Sequence, residues 1–247
     1  MKKGLMSLAA IVVLSGSVTG CINGNLNTAS LGAGMDAFKA VTLSESDAKA
    51  LAARATQQMD QTNKVLSASS KHSKRLTRLV KKFRNEDGLA LNFKVYGSNE
   101  MNAFAMANGT VRVYQGLMNK LTDDELRFVI GHEIGHVKLG HSLKAMRTAY
   151  ATSALRKGAA SQGGDVARLS GSQLGALGEK LVNAQFSQSQ ETDSDTYAVK
   201  FMKKYGFNPR AGLSVMEKFQ KMDGGKSSML SSHPASGARE KHIARLL

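Results

Sequence analysis

The stretch from Val129 to His141, VIGHEIGHVKLGH, sets three histidines and a glutamate among apolar residues. Leu126, Phe128, Val129, Ile130, Ile134 and Val137 make a helix here apolar nearly all round, and such a helix is buried. Thr122-Asp123-Asp124-Glu125 supplies a Thr-x-x-Glu capping box to open it. The core around it must then satisfy His132, Glu133 and His136, because unpartnered polar groups are costly away from water. His132 and His136 are four residues apart, so their side chains share a face, about 6 Å apart at Cβ. Two imidazoles placed that way can reach one metal ion at about 2.1 Å each. Glu133 follows the first histidine and can point at the open position of such an ion, where a carboxylate can take a proton from water.

The stretch does not complete a site by itself. An extended HExxHxxGxxH pattern needs Gly at 139 and His at 142, where Leu139 and Ser142 stand. His141 lies five residues beyond His136, about 500° round a continuous helix. That position points to a supporting role beside a ligand rather than to ligation. Glu191 and Asp195 are the better candidates, four apart on a predicted helix. One can ligate while the other fixes the tautomer and orientation of a ligand histidine. An isolated acidic pair is ordinarily a solvated face; downstream of HExxH in a basic chain, Glu191 reads as the third ligand.

The chain has 247 residues, 42% of them hydrophobic, enough to bury a core as one large domain or two small ones. Its net charge of +15 comes without an aromatic RNA-binding motif, a zinc finger or a leucine zipper, so no nucleic-acid partner is expected. Lys2 and Lys3 precede an apolar run from Leu5 to Val18 that is too short to span a bilayer, which needs about 20 residues; residues 1–20 read as an export signal. The signal ends before Cys21, the single cysteine, so a mature fold has no disulfide and stands on its core and any metal. Residues 21–35 read as a flexible tether and 36–247 as one domain.

Ser44 is a plausible N-cap for an Ala-rich helix to about Met59, and a second, strongly basic helix runs from about Ser70 to Phe83. Leu91, Phe93 and Val95 alternate with Asn92, Lys94 and Tyr96 as a half-buried strand. Asn102 to Ala107 and Thr110 to Tyr114 flank Asn108-Gly109, a strong hairpin signal. Residues 158–178 are glycine-rich, a mobile loop or a loosely helical segment. A helix is expected from about Glu179 to Tyr205, another opened by Asn208-Pro209, and a short basic one at the end. The expected architecture is α+β: a mostly helical, zincin-like single domain whose small β-sheet carries an edge strand beside the HExxH helix.

HEIGHVKLGH, the ExxxD from Glu191 to Asp195 and SHPASGARE together resemble the gluzincin family of the heat-shock protease HtpX and the CAAX prenyl protease. Val18-Thr19-Gly20-Cys21 resembles a bacterial lipobox. With NAFAMANGTVRVYQGLM, GEKLVNAQFSQ and SSMLSSHPAS it is similar to periplasmic lipoprotein members of that family, over essentially all of the chain from about residue 36. The resemblance implies one Zn²⁺ per chain held by His132, His136 and Glu191, with Glu133 as general base and Asp195 steadying a ligand histidine. It places His233 near the metal, where it steadies the oxyanion or regulates access. It makes Asn102, Ala103, Phe104 and Ala105 the strand that pairs with substrate, although these residues also read as plain hairpin packing. Cys21 would be acylated, and Ile22 after it favours the outer membrane over the inner. With no apolar span of about 20 residues, unlike HtpX, lipid would be the membrane anchor.

The expectation is therefore a zinc endopeptidase on the periplasmic face of the bacterial outer membrane, acting on unfolded or misassembled envelope polypeptides, with other envelope proteases or assembly factors as possible partners. The alternatives are a zinc-stabilised chaperone or assembly lipoprotein without proteolysis, and a zinc hydrolase of peptidoglycan cross-links. The intact HExxH speaks against a purely structural metal site, which needs no base.

Overall fold

The computed structural model describes residues 43–157, 169–222, 228–235 and 237–247. Residues 1–20, Cys21 and the 21–35 tether lie outside these residues, as does the first part of the glycine-rich stretch. Helix α1 (Glu45–Thr62) is capped by Ser44, whose side chain accepts from the Asp47 amide. Helix α2 (Lys71–Leu79) starts from Ser70 as anticipated but stops early, and a 3₁₀ turn (Lys81–Phe83) completes the span. A short hairpin follows, β1 (Asn85–Glu86) and β2 (Leu89–Ala90), and then three strands, β3 (Asn92–Tyr96), β4 (Ala103–Ala105) and β5 (Thr110–Tyr114). Helices α3 (Gln115–Lys120), α4 (Asp123–Lys138), α5 (His141–Lys157), α6 (Gly171–Val182), α7 (Gln188–Lys204), α8 (Ala211–Lys221), α9 (Ser228–Ser232) and α10 (Gly237–Leu246) complete a mostly helical domain with two small sheets. Among the described residues no helix is long and apolar enough to cross a membrane.

The three-stranded sheet has the order β3-β5-β4, with β4 antiparallel and β3 parallel to the central strand. The hairpin read at Asn108-Gly109 is present: Ala103 faces Val113 and Ala105 faces Val111. Strand β3 departs from simple alternation, since Val95 and Tyr96 are both buried. Both faces of the sheet are covered. Ala103, Val111 and Val113 join a core built on α4, α7 and α8, while Tyr96, Phe104 and Tyr114 join a second core under α1, α5 and α6. Double coverage explains why every residue of β5 is buried, Arg112 included. Arg112 is neutralised by a bidentate pair with Asp60 of α1 (Nε to Oδ1 2.9 Å, Nη2 to Oδ2 2.9 Å), and Tyr96 donates to the same carboxylate. Phe83, Phe128 and Phe201 are fully buried in the first core, each stabilising the fold by about 2–3 kcal/mol.

Helix α4 has the reciprocal Thr122/Glu125 capping box that its sequence proposes, and Glu125 is held further by Lys218 at 2.7 Å. It ends at Lys138, where Gly140 takes φ +77° and turns the chain into α5. The helix is therefore not continuous through His141, which heads the next one. The single helix expected from Glu179 to Tyr205 is two. Capping boxes at Ser170/Gln173 and Ser187/Gln190 open α6 and α7, and a short link separates them. The later part of the glycine-rich stretch belongs to α6. Asn208 does not cap α8 directly; its Oδ1 accepts from the Arg210 amide, and the helix begins after that turn.

Candidate metal centre

Two antiparallel pieces of secondary structure build the site. Helix α4 packs on α7, and Gly131 and Gly135 line the contact. A methyl group on Gly131 would stand 2.7 Å from the Phe201 ring, and one on Gly135 would stand 3.1 Å from Tyr197 Cβ and 3.3 Å from the Ser194 backbone. The two glycines of GHEIGH thus let the helices approach closely enough for His132 and His136 to meet Glu191 and Asp195.

His132, His136, Glu191 and His233 bring one donor atom each to within 4.8 Å of one another, and all four are buried. His136 Nε2 lies 3.0 Å from His132 Nε2 and 3.3 Å from Glu191 Oε1. His132 Nε2 is 3.4 Å from Glu191 Oε2 and 3.4 Å from His233 Nδ1, which is 3.0 Å from Glu191 Oε1. Four donors held about 2.0–2.1 Å from one tetrahedral ion are about 3.3 Å apart, so this group has the size of a metal shell. Ring nitrogens that turn their lone pairs toward one another at such distances would be satisfied by a cation between them. Glu133 Oε1 is buried with no hydrogen-bond partner, which adds to that demand. Among the described residues no other group of this kind forms.

The electrostatics agree. Burial opposes a charge on His132, yet hydrogen bonds to Asp195 and Glu191 override it and raise its pKa to about 9. His136 lies mainly under the desolvation penalty and is held well below the usual imidazole range. Burial disfavours charge on Glu191 too, but its three histidine neighbours keep it ionised far below the carboxylate range. A divalent ion would supply the charge that these contacts now improvise. His132 Nδ1 donates to Asp195 Oδ1 at 3.0 Å, fixing the tautomer that turns Nε2 inward. Against the penalty of burial, Arg239 and His132 hold Asp195 at a pKa of about 2.

His141 is outside the converging group but touches it, with Nδ1 3.1 Å from His136 Nδ1. Glu133 is buried and its pKa is raised by desolvation, toward the range useful for proton transfer. The backbone amide of Ala105 hydrogen-bonds to its carboxylate, and His233 Nε2 lies 3.6 Å from its Oε1.

Asn102, Ala103, Phe104 and Ala105 sit at the sheet margin. The pairs Asn102/Tyr114 and Met106/Thr110 carry the ladder bonds, so the amides of Ala103 and Ala105 face the free edge. Ala105 meets Glu133 there, and its carbonyl accepts from Ser142 Oγ at 3.1 Å. The Asn102 side chain is 1% exposed and lines a different cavity, with residues of α1 and α6, where both of its amide atoms lack a hydrogen bond.

Two residues at the centre have no sequence signal of their own. Phe186, in the α6–α7 link, stacks on the His136 ring with centroids 3.9 Å apart and lies 5.2 Å from the His233 ring. Arg239, on α10, donates to both oxygens of Asp195 at 2.7 and 2.8 Å and pairs with Glu191 Oε2 at 2.6 Å. A buried arginine is invisible to periodicity, and a lone phenylalanine in a polar link reads only as apolar.

Known proteins resemble this chain in sequence. The pattern described as Peptidase family M48 matches residues 70–247. The chain is 46% identical to Metalloprotease LoiP of Escherichia coli K12 over 241 residues, covering 97% of this chain and 94% of LoiP. It is 41% identical to Metalloprotease YcaL of the same organism over 245 residues, 98% of this chain and 96% of YcaL. With the Beta-barrel assembly-enhancing protease of Yersinia pestis it shares 31% identity over 162 residues, 60% of this chain and 32% of that protein. The chain belongs to peptidase family M48 and is a metallopeptidase.

Proposed function

We propose that the chain is a zinc endopeptidase in which His132, His136 and Glu191 hold the metal and Glu133 is the general base. The observation that carries this is the meeting of three features: the buried shell of donors, the unpaired Glu133 oxygen, and the free edge of β4 ending at Glu133. Zinc bound there would polarise the scissile carbonyl and favour deprotonation of water near neutral pH. Glu133 accepts the proton of the attacking water and can return it to the leaving amine. An extended polypeptide added to the edge of β4 pairs with the backbone of Ala103 and so passes toward Glu133, which together with Ser142 holds the backbone groups of Ala105. Folded proteins hide their backbone, so this geometry favours unfolded chains. His233 lies within the donor group, where it would offer the metal a fourth donor or face the developing oxyanion.

Cys21 carries the lipid that anchors the protein to the outer membrane, and the substrates are unfolded or misassembled envelope proteins. The lipobox supports the first part. The name of the Yersinia relative, which ties that protease to β-barrel assembly, supports the second. Digestion of casein and of purified peptidoglycan by the pure protein, each with and without a chelator, tests the reading. Chelator-sensitive cleavage of casein alone is expected. Cleavage of peptidoglycan alone would replace it with the rival hydrolase, and cleavage of neither would favour a chaperone or scaffold.

A further inference from the structure

Arg239 reaches Glu191, Asp195 and the backbone of the His233 loop, three parts of the candidate centre contributed from outside α4. Arg239 is 3% exposed. Nε and Nη2 form a fork on Asp195 at 2.8 and 2.7 Å. Nη1 lies 2.6 Å from Glu191 Oε2, an ion pair without the alignment of a hydrogen bond, and it also donates to the carbonyls of Pro234 (3.1 Å) and His233 (3.4 Å). Nη2 comes within 3.5 Å of His132 Nδ1 as well.

We propose that Arg239 is a positioning residue: one planar guanidinium ties the metal-binding carboxylate of Glu191, the orienting carboxylate of Asp195 and the backbone of the His233 loop into a single unit. Glu191 and Asp195 are one helical turn apart on α7, and Arg239 reaches both from α10, which follows the His233 loop directly. The loop therefore cannot leave the shell without pulling on the residue that holds the two carboxylates. The geometry is particular to arginine. A lysine ammonium keeps the charge but has no rigid fork, so it cannot bridge two carboxylates and two carbonyls together.

The inference rests on the metal reading of the shell, and its test uses Co²⁺, whose visible absorption reports coordination number and geometry. Wild type, Arg239→Lys and Arg239→Gln are titrated with Co²⁺, and each is melted with and without it. The expected result for wild type is a strong four-coordinate band. For Arg239→Lys the expected result is a weaker, shifted band and roughly tenfold or more loss of affinity, the loss typical when an outer-shell partner of a metal site is removed. Arg239→Gln is expected to lose at least as much. A Co²⁺ band and affinity in Arg239→Lys equal to wild type would overturn the proposal, since charge alone would then suffice. A variant that stays unfolded in saturating Co²⁺ would also overturn it, by making Arg239 a requirement of the fold. A wild-type protein that binds no Co²⁺ would remove the metal reading itself, which separates that failure from the others.

Discussion

The Nδ1 atoms of His141 and His136 lie 3.1 Å apart across the break between two helices. His136 turns its Nε2 toward the donor shell, so its Nδ1 carries the hydrogen and His141 accepts it. Burial lowers the pKa of His141, which suits an acceptor. Each α4 histidine therefore has its own orienting partner, a carboxylate for His132 and a neutral imidazole for His136. His141→Ala is expected to keep its metal with roughly tenfold weaker affinity, as befits an outer partner. Glu191→Ala is expected to lose it. Metal analysis after dialysis, with competition against a chelator, checks both; the reverse outcome would exchange the two roles.

The α4–α7 contact gives a second expectation. A methyl group at Gly135 would press on backbone, which cannot swing away as the end of a side chain can. Gly135→Ala should destabilise the protein by about 1–3 kcal/mol, despite the better helix propensity of alanine, through overpacking. It should also weaken metal binding without altering a ligand. Thermal melts and metal titration together test this, and a stabilised variant with intact affinity would refute the packing account.

Asp60 offers a pH test away from the centre. Burial works against its charge, but hydrogen bonds from Arg112, Lys94 and Tyr96 more than offset it, so its folded pKa is depressed. A depressed carboxylate contributes stability that is present above its unfolded pKa of about 3.9 and is lost as pH falls through the folded value. Asp60→Asn leaves Arg112 buried without its counter-ion and should cost about 3 kcal/mol at pH 7. The gap between variant and wild type should narrow below about pH 4. Denaturant melts across that range measure it; a gap that is constant with pH would show that the charge of Asp60 is irrelevant.

The lipid anchor is tested by fractionation. Cys21→Ala is expected to give an uncleaved or soluble form, and labelled palmitate should appear on the wild type only. Unchanged recovery in the outer membrane would mean that another feature holds the protein there.

Much of this fold was legible because local signals were strong. Thr122 and Glu125 announced α4, Ser44 and Ser70 announced α1 and α2, and Asn108-Gly109 announced the β4–β5 hairpin. Sequence spacing also pointed to His132, His136, Glu191 and Asp195, and the structure brings those four together with His233. The misses have physical causes. The α6–α7 link Asn183-Ala184-Gln185-Phe186 holds neither glycine nor proline, so the break went unseen although Ser187/Gln190 marks a capping box. His141 falls about 500° round from the ligand face only on an unbroken helix, whereas α4 ends at Lys138 and Gly140 turns the chain. Tyr96 read as solvent-facing because alternation cannot reveal a sheet covered on both sides. Arg239 drew no notice as an individual residue, since its role depends on partners set far from it in sequence.

The central claim is that a metal held by His132, His136 and Glu191 works with Glu133 as base. Glu133→Gln keeps the shape of the side chain and removes only its ability to take a proton. Zinc content and casein cleavage measured on the same preparation of this variant test the claim most directly. One zinc per chain with cleavage abolished is the expected result; full zinc occupancy with cleavage at the wild-type rate would contradict it.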